Sequence, residues 1–320
     1  MYIFSGGRMG YKHIFGPVPS RRLGRSLGVD LVPFKICNLD CVYCECGTTG
    51  ATVTVRARYS NPDEIVSEIK DLLDKKPAVD YVTLTGSGEP TLSIDLAYII
   101  RFIKREYPEL KIALLTNGVL FSDSAVRNES ALVDVVLPSL DAAQQESFRI
   151  IDRPAAGVSI ERIIDGLKHF RDEYKGQIWL EQFIIPGIND TEEELLSFKT
   201  AMGLIKPDKI QINSLDRPGA ENWVKAAHYQ ELMAVREFYF PYNAEIVGRF
   251  ISADKNDSKQ DLNIDIILSI LKRRPCTVKD IEIITGKDIN KIDDVISELI
   301  NKGLVEVITI NENEFYRILL

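Results

Sequence analysis

The chain alternates short runs of β-branched and aromatic residues with longer stretches whose apolar positions recur at helical spacing. Gly28-Val29-Asp30-Leu31-Val32-Pro33 reads as a short buried strand. Tyr81–Thr85, Lys111–Leu115, Val133–Leu137, Gln177–Ile185 and Lys209–Asn213 carry a similar signature, giving six predicted strands. Asn61-Pro62-Asp63-Glu64 opens a helix with a capping Asn, a Pro in the first turn and acids at the positive end of the dipole. Ile65, Ile69, Leu72 and Leu73 mark its buried stripe. Further helices are predicted near Asp95–Tyr107 and Ser159–Tyr174 and from Thr191. Strands separated by helices pair in parallel through right-handed crossovers, so the predicted fold class is α/β.

Two stretches break this rhythm. Residues 13–25 hold two prolines and two glycines and are expected to be irregular, and loops this long usually do something. Around Ser252–Gln260 the chain is polar and aperiodic, as a linker would be. Beyond it, Leu262–Leu271, Thr277–Thr285 and Lys291–Asn301 read as three helices. Leu304–Ile310 and Glu314–Leu319 read as a hairpin around Asn311-Glu312-Asn313. Three helices and a two-stranded wing predict a C-terminal winged-helix domain, so the expected domains are 1–252 and 253–320.

Composition adds limits. At 320 residues, 45% hydrophobic and 27% charged, the chain is long enough to bury a full core. It shows no apolar run of membrane-spanning length, and Met1–Gly10 lacks a signal-like apolar core. A cytoplasmic location with no membrane contact is expected. Five cysteines, three of them clustered, suit a reducing compartment better than a disulfide framework.

The net charge of −8 speaks against broad non-specific nucleic-acid binding. Residues 261–320 hold eight bases and eleven acids, and the third helix of the tail sets Asp293, Asp294 and Glu298 against Lys291 and Lys302. Phosphate contact from that face is repulsive, so the tail is expected to meet protein or present substrate rather than bind DNA. Residues 1–36 carry six bases and one acid, Asp30, a balance that suits an anionic partner or an ordinary solvated arm.

The strongest chemical signal is Cys37, Cys41 and Cys44, spaced C-x3-C-x2-C on the loop leaving the first strand. Three thiolates cannot all pair as disulfides, and they leave a tetrahedral site one ligand short. They suit zinc, with Cys46 as a possible fourth ligand, or an iron–sulfur cluster with one open iron. The chemical alternatives are thus an enzyme built on an open cluster and a zinc- or Fe–S-binding winged-helix regulator without activity. Later strands also end in polar groups: Gly86-Ser87-Gly88-Glu89-Pro90, Asn117, Ser139 with Asp141, and Asn213. These are the ends where α/β barrels place their sites.

The cysteine spacing with Tyr43 before the last cysteine, followed by Gly-Ser-Gly-Glu-Pro after the next strand, resembles the radical S-adenosylmethionine (SAM) enzymes. The run Gly-Pro-Val-Pro-Ser-Arg-Arg-Leu-Gly-Arg-Ser-Leu-Gly-Val-Asp resembles its Fe–S oxidoreductase subgroup, which is related to the wyosine-base synthetases of tRNA. The resemblance covers most of residues 13–250 and implies a partial (β/α)6 TIM-like barrel. It implies that Cys37, Cys41 and Cys44 hold a [4Fe–4S] cluster whose fourth iron is chelated by SAM. Reductive cleavage of SAM then gives a 5′-deoxyadenosyl radical.

Carried onto this chain, the resemblance makes Gly86, Gly88 and Glu89 methionine-binding, with Asn117, Ser139, Asp141 and Asn213 as ribose or carboxylate contacts. Arg153 is a candidate contact to the SAM carboxylate or the substrate. Of Glu181 and Gln182, one should face the barrel interior. An electron donor such as flavodoxin or ferredoxin is implied as partner, and a tRNA base, a peptide or a small molecule as substrate. The wyosine-base synthetases carry a second cluster with three cysteines of its own, whereas only Cys46 and Cys276 remain here.

Overall fold

The strands hydrogen-bond in the order of the chain, β1 (Ile14–Ser20) running antiparallel to β2 (Gly24–Asp30) and every later neighbour parallel. α1 (Pro62–Leu73) leads to β3 (Tyr81–Thr85), α2 (Leu96–Glu106) to β4 (Lys111–Thr116), and α3 (Ser124–Ser130) to β5 (Val135–Pro138). α4 (Gln145–Ile151) and α5 (Ile160–Glu173) precede β6 (Gln177–Phe183). α6 (Glu192–Ile205) precedes β7 (Lys209–Asn213), and α7 (Tyr229–Phe238) precedes β8 (Ala244–Ile246). This computed structural model describes residues 11–247, 264–271, 274–285, 287–310 and 313–319. The predicted linker at Ser252–Gln260 and the expected boundary at 252/253 lie outside the described residues, as do residues 1–10.

β2 to β7 are the six parallel strands expected of a partial barrel, with β1 and β8 added at the two edges. The period-2 alternation of a strand divides the side chains between two faces. Val82, Leu84, Ile112, Leu114, Val136, Ile178, Leu180, Ile210 and Ile212 pack outward on the helices. Leu23, Ala113, Val135 and Leu137 pack on the other face with Tyr81, Leu115 and Trp179, filling the bore. Each fully buried aliphatic side chain in these layers contributes ~1.5–3 kcal/mol.

Local signals explain the helices. In α1 the Asn61 side chain accepts from Asp63 N, Pro62 occupies the first turn, and Ile65, Ile69 and Leu73 are buried. In α6 the Thr191 side chain accepts from Glu194 N.

Residues 13–25 differ from expectation: most of them form β1, the turn and the start of β2. Pro17 and Pro19 are tolerated because β1 is an edge strand that ladders only to β2, and the register shifts between Phe15 and Val18 around the first proline.

The tail follows the predicted order. α8 (Ile264–Leu271), α9 (Val278–Thr285) and α10 (Ile289–Asn301) precede β9 (Val305–Ile310), which pairs antiparallel with β10 (Asn313–Ile318). These elements gather their own apolar cluster around Ile267, Cys276, Ile281, Ile296 and Tyr316. No helix among the described residues is long and apolar enough to cross a membrane.

Candidate active site

The loop leaving β2 carries Cys37, Cys41 and Cys44, and every cysteine is a free thiol. Leu39 and Val42 are buried between the cysteines and pin the loop to the apolar interior. Backbone bonds fix it on one flank: Asp40 N donates to Asp152 O (2.9 Å), Val42 N to Ile151 O (2.9 Å) and Ala155 N to Asn38 O (3.0 Å). Within the loop Cys44 N donates to Cys41 O (3.1 Å) and Gly47 N to Cys44 O (3.0 Å).

Each sulfur has a polar neighbour. Asn117 Nδ2 lies 3.6 Å from Cys37 Sγ, Lys35 Nζ lies 3.4 Å from Cys44 Sγ, and Cys41 Sγ donates to Asp152 Oδ1 at 3.2 Å. Burial, then the charge of Glu89, pushes the Cys37 thiol up to about 12, and burial with Asp152 lifts Cys41 well above its ordinary value. A hydrogen bond with Cys46, helped by Lys35, lowers Cys44 to about 6. Two of the three thiols thus resist ionisation until a cation arrives to compensate them. Among the described residues no three His, Cys, Asp or Glu side chains converge on a point that would hold a single ion. Soft sulfur donors spread along one loop, with an amide and an ammonium aimed at two of them, fit an iron–sulfur cluster.

Beside this loop β3 ends in the Gly86–Pro90 turn. Gly86 has φ +139°, and a Cβ there would stand 1.2 Å from Asp30 Oδ1. A Cβ on Gly88 would stand 2.3 Å from Ile36 O. The turn therefore lies flat against the start of the cysteine loop, with Ser87 N donating to Asp30 Oδ1 (2.8 Å) and Lys35 N to Ser87 O (2.8 Å). Glu89 is 3% exposed and faces inward. It accepts from Thr91 N (3.0 Å), Thr116 Oγ1 (2.7 Å) and Asn117 N (2.8 Å), and these bonds partly offset the upward push of burial on its carboxyl. Its carboxylate braces β3 against β4. On the outer side of the turn a cleft of about 1050 Å³ is lined by Tyr11, His13, Asp30, Phe34, Tyr59 and Ser87.

The remaining strand ends adjoin the cysteines. Asn117 donates to Asn38 Oδ1 (2.6 Å), tying β4 to the residue after Cys37. Ser139 is half-buried and bridges to Glu181, and with Cys41, Tyr43, Asn117, Asp141 and Asp152 it borders a small cavity of about 50 Å³. Asp141 has no free oxygen: Oδ1 accepts from Phe183 N (2.7 Å) and Oδ2 from the Tyr43 hydroxyl. Tyr43 in turn stacks on Phe183 with centroids 3.9 Å apart. Asp141 therefore latches β5 and β6 to the cysteine loop while bordering the same cavity. Burial raises its carboxyl to about 7, and burial with the neighbouring Asp141 charge raises Asp152 further.

Asn213 stands across the bore, where its Nδ2 donates to Glu181 Oε1 (3.0 Å). Glu181 is the member of its pair that faces the interior, held by Arg22 from the β1–β2 turn, whereas Gln182 points outward to the Tyr239 hydroxyl at 2.6 Å. Arg153 pairs with Glu221.

Sequence reasoning missed Asp30, Asn38, Asp152, Arg22 and Lys35 as members of the site. Only the polarity of Asp30 at a strand end was a usable signal. The others act on residues distant in the chain.

Comparison with known proteins adds to this geometry. The profile of the family described as the Radical SAM superfamily matches residues 31–198. A protein of Methanocaldococcus jannaschii named as a UPF0026 protein is 30% identical over 309 residues, covering 94% of each chain. A Brachyspira hyodysenteriae protein named GTPase Obg is 36% identical over 303 residues, covering 94% of this chain, which spans only 44% of that protein's length. A protein of Mycobacterium bovis named GTP 3′,8-cyclase 3 is 29% identical over 208 residues, 63% of this chain and 52% of that one. Among solved structures, a radical SAM methyltransferase from Sphaerobacter thermophilus superposes with a TM-score of 0.54 at 15% identity, over 69% of this chain and 65% of that one.

Proposed function

The chain belongs to the radical SAM superfamily, as an enzyme whose cofactors are a [4Fe–4S] cluster and SAM, and we propose that it cleaves SAM reductively to modify a substrate by hydrogen abstraction. The observation that carries this is the joining of three reduced thiols to the Gly86–Glu89 turn, through Asn117, Asn38 and Lys35. A cluster held by these thiols would supply the electron for reductive cleavage of SAM.

The protein's part is to bind, orient and exclude water. Cys37, Cys41 and Cys44 would hold the cluster. The backbone of Gly86–Gly88, which its glycines let lie flat on Asp30 and Ile36, would receive the methionine end of SAM, while Glu89 stiffens that turn from behind. Asn117 and Ser139 meet the cofactor from β4 and β5. Asn213, with Glu181, faces the substrate side. Asp141 and Tyr43 keep the cysteine loop seated on β6.

The substrate belongs to one of three classes, a tRNA base, a peptide or a small molecule, and the electron comes from a flavodoxin- or ferredoxin-like donor. The chain carries no G-x4-G-K-[ST] phosphate loop, so the GTPase name of its Brachyspira relative has no counterpart among these residues. The exposed face of α10, with Asp293, Asp294 and Glu298, supports a protein-contact or substrate-presenting role for the tail.

Anaerobic reconstitution tests the reading. About four irons per chain and release of 5′-deoxyadenosine on adding dithionite and SAM are expected. Protein that takes up zinc alone, without affinity for SAM, would overturn it.

A further inference from the structure

Glu45, between Cys44 and Cys46, is not used by the chemistry above, yet through Arg217 it is joined to two distant parts of the chain. Arg217, from the loop after β7, is only 6% exposed and places Nη1 3.4 Å from Glu45 Oε1. Its Nη2 lies 3.5 Å from Oδ1 of Asp280 in α9. Asp280 is itself fixed, its carboxylate accepting from Thr277 N (3.0 Å) and its own N–H donating to Thr277 Oγ1 (3.1 Å). One guanidinium is thus shared by a carboxylate beside a cysteine and a carboxylate of the C-terminal helices.

Packing independent of charge ties the same parts together. Glu221 N donates to Val42 O (2.9 Å), and a Cβ on Gly219 would stand 2.9 Å from Tyr43 Cα, so the β7–α7 loop lies directly on the cysteine loop. Ile310, at the end of β9, joins Val42, Tyr43, Leu215 and Val224 in one apolar cluster. α9 lies against β1, the edge strand of the barrel.

We propose that Arg217 is a positioning residue that holds the cysteine loop through Glu45 and tunes the cluster's reduction potential, with residues 264–319 built in as its second anchor. This rests on the cluster reading above. A guanidinium in a site this dry acts over short range with little screening, so its loss makes the extra electron of a reduced cluster harder to accommodate. Loss of the Glu45 charge does the opposite. Lysine at 217 keeps the charge and gives up the fork that reaches two carboxylates at once.

The test uses the full chain, reconstituted anaerobically, in the variants Arg217→Met, Arg217→Lys, Glu45→Gln and Asp280→Asn. The midpoint potential of the cluster is followed by EPR, and amide exchange is measured on the iron-free protein. The potential is expected to fall in R217M, rise in E45Q and stay near wild type in R217K. Exchange at Cys44 N and Gly47 N is expected to quicken about tenfold, equivalent to ~1.4 kcal/mol, in R217M and E45Q. Exchange across Val278–Thr285 is expected to quicken in D280N. Potentials that do not move, or move the same way in R217M and E45Q, with exchange unchanged at Cys44, overturn the proposal. Should R217M fail to fold, E45Q and D280N carry the same readouts. Wild-type protein that binds no iron overturns the cluster reading instead, and the exchange arm still decides whether Arg217 holds the loop.

Discussion

A methyl group placed on Gly86 would stand 1.2 Å from Oδ1 of Asp30, the oxygen that receives Ser87 N. The two residues close on each other across β2 and β3, and the space between them has no room for a side chain. Gly86→Ala must therefore displace the Asp30 carboxylate or the turn, which bears on the start of the cysteine loop through Ser87 O and Lys35 N. SAM at 100 times its Kd stabilises the wild type by about 2.7 kcal/mol. Most of that gain is expected to vanish in the variant, in thermal melts with and without SAM at matched iron content.

Removal of one cysteine at a time separates ligands from bystanders. Cys37→Ala, Cys41→Ala and Cys44→Ala are each expected to lose most of the iron and its visible absorbance after reconstitution. Cys46→Ala is expected to keep both. Equal loss in all four variants would place Cys46 among the ligands.

Glu89 accepts from two backbone N–H groups on opposite oxygens, Thr91 N on Oε1 and Asn117 N on Oε2, as well as from the Thr116 hydroxyl, so an amide at 89 must turn its NH2 toward one of those N–H donors. Glu89→Gln sets a donor against buried donors and is expected to cost about 1–3 kcal/mol. The melting temperature should drop by about 2–4 °C per kcal/mol. Glu89→Asp, too short to span β3 and β4, is expected to fall similarly.

In the iron-free protein Asp141 gives stability an unusual slope. Burial raises its carboxyl from 3.8 to about 7, so between those values the folded chain holds more protons than the unfolded one. Stability from this group is full below about pH 4 and falls as pH rises through 7, by a few kcal/mol. Denaturant titrations from pH 5 to 8 are expected to show this decline, and Asp141→Asn is expected to lessen it, leaving the share of Asp152, whose carboxyl burial also raises. Carboxylates held low by ion pairs, such as Asp80 beside Arg25, lose their contribution only at more acid pH and do not mask it.

Much of this was legible in the chain. The six parallel strands, the α1 cap at Asn61 and the order of helices and hairpin in the tail all follow from periodicity and capping, which act over a few residues. The cysteine loop was legible because its ligands are neighbours in sequence. β1 was not, because edge strands tolerate the prolines that elsewhere forbid a strand. The protein partners of Asp141 were not legible, since a polar residue at a strand end gives no sign of them. Phe183 N and the Tyr43 hydroxyl claim it from 42 and 98 residues away. The pairing of Arg22 with Glu181 spans 159 residues and has no local trace.

Among the described residues β1 and β8 do not pair, so the girth of the barrel is not locked by a continuous ladder. Side chains, not backbone pairing, bridge these margins: Arg21 of the β1–β2 turn pairs with Asp216 just beyond β7, so what closes the seam is a charge contact that salt can screen.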